Sequence, residues 1–182
     1  MKSLIALAGI AVFAMPAMAG VVIWDENNDG NLSDDPFAPT FLNFGNGDNI
    51  VRGSTLGSAT PPSPGYDVFS FTVGAGFTLD AIVLSAYTPA AGGTSGFNFS
   101  SGASVTAGGA LIFGPGVGGA AVGTDFLVTQ GVGVLGADTY FMEIREFGGP
   151  LAEWELTFTV TPSPASLALL GFGGLVAGRR RR

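Results

Sequence analysis

Trp154-Glu155-Leu156-Thr157-Phe158-Thr159-Val160-Thr161 alternates apolar and polar residues without a break. Successive side chains of a strand point to opposite faces. Trp154, Leu156, Phe158 and Val160 therefore share one face, and Glu155, Thr157, Thr159 and Thr161 the other. This pattern predicts a half-buried strand. Two further runs repeat it: Phe69, Phe71 and Val73 against Val68, Ser70 and Thr72, and Tyr140, Met142 and Ile144 against Phe141, Glu143 and Arg145. Leu79–Tyr87 is more continuously apolar and predicts a central strand. Shorter strands are expected at Val21–Trp24, Thr40–Phe44, Asn49–Arg52, Ala110–Phe113 and Asp125–Thr129. No stretch of residues 20–161 sustains a helical period.

The residues between these runs are turn formers. Gly74-Ala75-Gly76 predicts a tight hairpin, and Gly148-Gly149-Pro150 another between the last two strands. Gly53 to Tyr66, with Pro61, Pro62 and Pro64, predicts a longer exposed loop. Gly114 to Gly123 has the glycine content of a phosphate loop, but it lacks the Gly-Lys-Ser/Thr ending and reads as a flexible loop. Short strands at this spacing predict an all-β fold, an antiparallel β-sandwich of jelly-roll-like form over residues 20–161.

Charge narrows the function. All 14 acidic residues fall within residues 20–161, where only Arg52 and Arg145 oppose them. Such a surface repels phosphate backbones, so no nucleic-acid partner is expected. There is no histidine and no cysteine. That removes Ser-His-Asp and Cys-His nucleophiles and the common zinc sites, and it leaves the core to hold the fold without disulfides. Only carboxylate-based chemistry stays open, such as a glycosidase pair. Glu143, Glu146, Glu153 and Glu155 gather near the last turn. Glu143 and Glu155 are expected on solvent faces, with Arg145 available to pair across strands, so a catalytic role is not expected of them.

The two ends read as addresses. Lys2 is a basic n-region, Leu4–Met15 an apolar h-region, and Ala17-Met18-Ala19 a small-residue cleavage site before Gly20. Residues 1–19 thus predict a secretory signal peptide with a signal helix, the alternative being a retained N-terminal anchor. At the other end, Pro162 and Pro164 cannot continue a strand ladder. The uncharged run Ala165–Gly178 then leads to Arg179, Arg180, Arg181 and Arg182. A helix over that run spans roughly 21 Å at ~1.5 Å per residue, short of a ~30 Å hydrocarbon core. The arginines extend its reach by snorkelling and hold the cytoplasmic side. A buried core helix fits poorly, because the run holds Gly171, Gly173, Gly174 and Gly178.

Residues 162–182 resemble a PEP-CTERM sorting signal: a Pro-x-Pro motif in Pro162-Ser163-Pro164, an apolar helix rich in Leu and Gly, and a terminal arginine cluster. Ser163 stands where the family usually has Glu. The resemblance implies cutting by an exosortase, a membrane-embedded cysteine peptidase of exopolysaccharide-making Gram-negative bacteria. It implies export through the general machinery, transient residence in the inner membrane by the C-terminal hydrophobic helix, and release to the cell envelope, outer surface or extracellular matrix. A second resemblance lies in the middle of the chain. Asp67-Val68-Phe69-Ser70-Phe71-Thr72-Val73-Gly74-Ala75-Gly76 followed by Leu79 is similar to the bacterial pre-peptidase C-terminal domain. Gly47–Ser54, Gly136–Phe141 and Trp154–Val160 match its other segments in order. That family implies a jelly-roll-like β-sandwich without catalytic residues.

One run has the donors of a calcium loop. Asp25, Asn27 and Asp29 stand at positions 1, 3 and 5, Gly30 at 6, Asn31 at 7 and Ser33 at 9, with Asp34 and Asp35 following. Pro36 occupies position 12, where a bidentate carboxylate belongs. The competing reading is an acidic turn between two strands. For glycan stacking, Trp24 and Tyr66 are the expected exposed rings, while Trp154 is expected in the core and Tyr87 is a weaker candidate. The leading expectation is an exported, non-catalytic envelope or matrix protein associated with exopolysaccharide. The alternatives are a glycan-binding module, with or without calcium, and a carboxylate hydrolase.

Overall fold

A computed structural model describes residues 20–56, 66–88, 95–117, 119–147 and 151–166. The signal peptide with Ala17 and Ala19, the apolar part of the tail helix and the terminal arginines lie outside the described residues. Gly20 is exposed just before the first strand.

The strands are β1 Val21–Asp25, β2 Thr40–Leu42, β3 Gly47–Thr55, β4 Tyr66–Val73, β5 Phe77–Thr88, β6 Ser95–Ser101, β7 Ala110–Phe113, β8 Gly116–Val117, β9 Asp138–Glu146 and β10 Ala152–Pro162. Two short helices, α1 Glu26–Asp29 and α2 Phe126–Thr129, and a 3₁₀ turn at Gly119–Ala121 interrupt them. One sheet is four-stranded in the order β1-β3-β10-β5. The other is six-stranded, in the order β2-β4-β9-β6-β7 with β8 also on β6.

The decisive stretch behaves as its alternation predicts. Trp154, Leu156, Phe158 and Val160 are buried, while Glu155, Thr157 and Thr159 are half-exposed. Their inner faces meet the inner faces of the other sheet. Phe158 packs edge-on against Phe69 and Phe71, with ring centroids 5.9 and 5.1 Å apart. The core is one continuous cluster with contributions from both sheets. At ~25 cal/mol per Å² of apolar surface removed from water, such aromatic burial is the main force closing the two sheets.

Four expectations are corrected. The sheets are mixed rather than antiparallel, because β1 pairs parallel to β3 and β2 parallel to β4. The Gly74-Ala75-Gly76 turn is present, with Phe77 N–H donating to the Gly74 carbonyl at 3.1 Å, but it is not a hairpin. It carries the chain from one sheet to the other, and the β9–β10 connection does the same. The backbone reverses as expected, yet each strand finds a better-matched partner elsewhere. β5 ends its ladder instead of lying centrally. Its apolar character has another source: residues 121–135 cover that edge, with isolated bridges Leu79–Leu135 and Val83–Asp125. Finally, Asp125–Thr129 is not a strand. Asp125 caps α2 by accepting from the Leu127 N–H at 2.9 Å, and the turn buries Phe126 and Leu127. Four residues are too few to display a period, so the capping residue was the better signal.

Candidate functional site

The outer face of the four-stranded sheet carries two polar rows. Register sets Arg52, Glu155 and Ala86 side by side, and Ser54, Glu153 and Thr88 in the next row. The intervening pair Gly53 and Trp154 turns inward, so these side chains turn outward. The Asp25–Asn27 stretch rises as a wall beside them, with Leu151 at the rim. Together they line an open cleft of about 310 Å³. Arg52 Nε donates to Glu155 Oε2 at 2.6 Å and lies 3.9 Å from Asp25 Oδ2. The Glu155 hydrogen bond and charge hold the Arg52 guanidinium above its ordinary pKa. Asp25, Glu26, Glu153 and Glu155 against one guanidinium leave the cleft net negative, which favours cationic or hydroxyl-donating ligands.

The wall is built by capping. Asp25 has an extended backbone and its Oδ1 accepts from Asn27 N–H at 3.0 Å, the standard way to start a helical turn. Asp29 Oδ2 accepts from Asp25 N–H at 2.9 Å. Glu26 reaches back across the turn. Its Oε1 accepts from Leu32 N–H at 2.8 Å and its Oε2 from Ser54 N–H at 2.7 Å. Below it Asp67 lies buried at the start of β4, accepting from Trp154 Nε1 at 3.2 Å. Burial, then the charge of Glu26, pushes the Asp67 carboxyl up to about 8.

Several of the calcium-loop donors make hydrogen bonds within their own turn. Asp25 and Asp29 are used as caps, Ser33 Oγ donates to the Ala38 carbonyl at 2.7 Å, and Asp35 Oδ1 accepts from Phe37 N–H at 2.9 Å. Asn27, Asn31 and Asp34 are exposed along the same turn. Among the described residues no three His, Cys, Asp or Glu side chains come together to hold a metal. The stacking candidates are also apart. Trp24, on β1, is half-buried against the core and donates to the Gly30 carbonyl at 3.1 Å. Tyr66, on β4 of the other sheet, lies under the Arg145 guanidinium, 5.0 Å from its ring centroid. Neither lines the cleft.

The glutamates divide. Glu155 and Glu153 face the cleft. Glu143, expected on a solvent face, is fully buried, because the 102–109 segment folds over it. It accepts from Thr106 N–H at 2.8 Å and pairs with Arg145 at 2.9 Å. Arg145 thus pairs along its own strand, and Arg52 makes the cross-strand pair with Glu155. Glu146 is fully buried too, accepting from Tyr87 Oη at 3.1 Å and from Ser95 Oγ. Glu143 and Glu146 serve structure, and neither opens to a cleft.

The Pro162-Ser163-Pro164 motif lies where the domain ends. Pro162 closes β10 opposite Phe77, Ser163 N–H donates to the Gly76 carbonyl at 2.8 Å, and residues 164–166 turn helical. No helix among the described residues is long and apolar enough to cross a membrane. Comparison with family models, curated proteins and solved structures finds no match to this chain.

Proposed function

We propose that this is an exported, non-catalytic protein of the cell envelope or extracellular matrix. In this reading residues 1–19 direct export, and residues 162–182 form a sorting tail cut by an exosortase after transient insertion in the inner membrane. The sandwich then remains with the exopolysaccharide layer. One observation carries most weight. β10, between β3 and β5, is the last strand of the domain, so the core is closed by Pro162 and the tail is joined after it. Removing such a tail takes no residue from the core cluster, though it breaks the Ser163 and Ser166 hydrogen bonds to the Gly76 carbonyl. Successive strands that cross between the sheets support the jelly-roll-like form within this reading.

The test is deletion of residues 163–182, which leaves β10 whole. The shortened protein is expected to change its partition between membrane and exterior while keeping its melting temperature. An unchanged partition and an unchanged mature mass would overturn the sorting role.

A second reading is favoured by the cleft: a glycan-binding module whose polar rows Arg52–Glu155 and Ser54–Glu153 bind saccharide hydroxyls. Co-sedimentation of the full chain with exopolysaccharide from its producing cell, in calcium and then in EDTA, tests it. Retention lost on Glu153→Ala supports the cleft, and loss in EDTA assigns calcium a part. No retention in either condition leaves a sorted structural domain.

A further inference from the structure

The Pro-Ser-Pro motif is fastened to the domain. Pro162 ends β10 opposite Phe77, so the chain leaves the sandwich beside the Gly74–Gly76 turn. Pro162 and Pro164 have no N–H, which leaves Ser163 with the only one in the motif. That N–H donates to the Gly76 carbonyl at 2.8 Å. The Ser163 carbonyl accepts from the Ser166 N–H at 3.0 Å, and the two serine hydroxyls meet at 3.0 Å. Ser166 Oγ donates in turn to the Gly76 carbonyl at 3.1 Å. Every polar group of Ser163 is thus engaged by Gly76 or Ser166. Gly76 fits the other half of the contact. Its φ of 85° favours glycine, and a Cβ there would lie 2.9 Å from Ser166 Oγ.

Proteolysis acts on an opened segment, and its rate follows the population of that open form. A motif whose single N–H and central carbonyl are both engaged offers neither to a second protein until those bonds break. We propose that Gly76, Ser163 and Ser166 form a clasp that gates the tail: closed, it withholds Pro162-Ser163-Pro164 from the sorting peptidase, and only the open form is cut. The inference rests on the sorting reading and adds a gate to it. None of the three residues belongs to the core cluster, so the clasp opens while the sandwich stays folded.

The test follows conversion of the full chain to its mature mass in the producing cell, by pulse labelling and mass spectrometry. Beside it, hydrogen exchange of the Ser163 amide is measured in the purified full chain. Ser166→Ala leaves the Pro-Ser-Pro motif intact and removes the hydroxyl bond to Gly76. Amide exchange and conversion are expected to rise together, each about fivefold, as for the loss of one hydrogen bond. A second variant closes the clasp. A Cβ on Gly76 would lie 3.8 Å from Ser166 Cβ, within the usual range for a disulfide, and the chain has no cysteine of its own. Gly76→Cys with Ser166→Cys is expected to stay uncut while oxidised and to be cut once reduced. The reduced form controls for the strain of a side chain at that φ. Conversion of the oxidised chain at the wild-type rate overturns the clasp and leaves the sorting reading standing. So do exchange and conversion that fail to rise together in Ser166→Ala, which decides the matter even where the double variant does not fold. A wild-type chain that is never cut overturns the sorting reading, and the gate with it.

Discussion

Gly53 and Trp154 face each other across the β3–β10 ladder so closely that a Cβ on Gly53 would lie 2.3 Å from Trp154 Cζ2. The missing side chain at Gly53 is the space the indole fills. That space lets Trp154 lie 6.4 Å from the Phe69 ring and reach Asp67 with its N–H. A side chain at Gly53 therefore disturbs the core and the buried acid together. Gly53→Ala is expected to destabilise the protein by about 1–3 kcal/mol, the usual cost of overpacking. Chemical denaturation of the two proteins at one pH checks this.

Stability should depend on pH through Asp67. Burial pushes its folded carboxyl up to about 8, against an ordinary value of 3.8. The folded state then binds the extra proton between those values, so this contribution is full below about 4 and is lost as pH rises through about 8. The slope is at most ~1.4 kcal/mol per pH unit, set by one proton. Asp67→Asn is expected to flatten the decline. Denaturation midpoints of both proteins at acid, neutral and mildly alkaline pH make the comparison.

Phe158 is the centre of the aromatic contacts between the sheets. Its ring lies 5.0 Å from Phe44, 5.1 Å from Phe71 and 5.9 Å from Phe69. Phe158→Ala is expected to cost about 3–5 kcal/mol, and Phe158→Leu distinctly less. Melting temperatures give the order, and a similar loss from both changes would mean that the ring contacts contribute little beyond volume.

Tyr87 spans the two sheets through its hydroxyl, which meets Ser95 Oγ at 2.7 Å and Glu146 Oε2 at 3.1 Å. Burial raises its phenol pKa, and hydrogen bonding with Ser95 works the other way. Tyr87→Phe keeps the packing and removes one donor to a buried carboxylate. A loss of roughly 1.5–3 kcal/mol is expected, as for a hydrogen bond to a charged group. A loss below about 0.5 kcal/mol would show that the other partners of Glu146, Ser95 among them, satisfy it without Tyr87.

The Arg52–Glu155 pair should contribute little despite its 2.6 Å contact, because the Arg52 side chain is 43% exposed. A double-mutant cycle with Arg52→Ala and Glu155→Ala is expected to give a coupling of about 0.2–1 kcal/mol that shrinks with salt.

The period-two rule carries further than the three runs it was first applied to. Extended two residues back from Phe69, it puts Asp67 on the inner face. Extended two residues on from Ile144, it puts Glu146 there, and both are buried. An acidic residue in register with an apolar face was therefore a visible signal of a buried polar site. β6 also alternates, with Phe97 and Phe99 buried, although it was not among the expected strands. Glu143 carried no such signal. It stands on the outer face of its strand and is covered only because residues 102–109 cross over it.

The features legible along the chain are local: most of the strands and the inward set of each, the turn positions, the uncharged run and arginine cluster after Pro164, and the acidic character of the domain. Alternation is a property of one strand's backbone, so it can be read from neighbouring residues alone. Only the packed molecule shows which sheet each strand joins, why Gly74–Gly76 crosses between sheets, and that Trp154 reaches Asp67. Those outcomes depend on partners far apart in the chain, chosen by the packing of both sheets around Phe158. No local pattern encodes that choice, because the same alternating strand fits many neighbours until its side chains meet their own core.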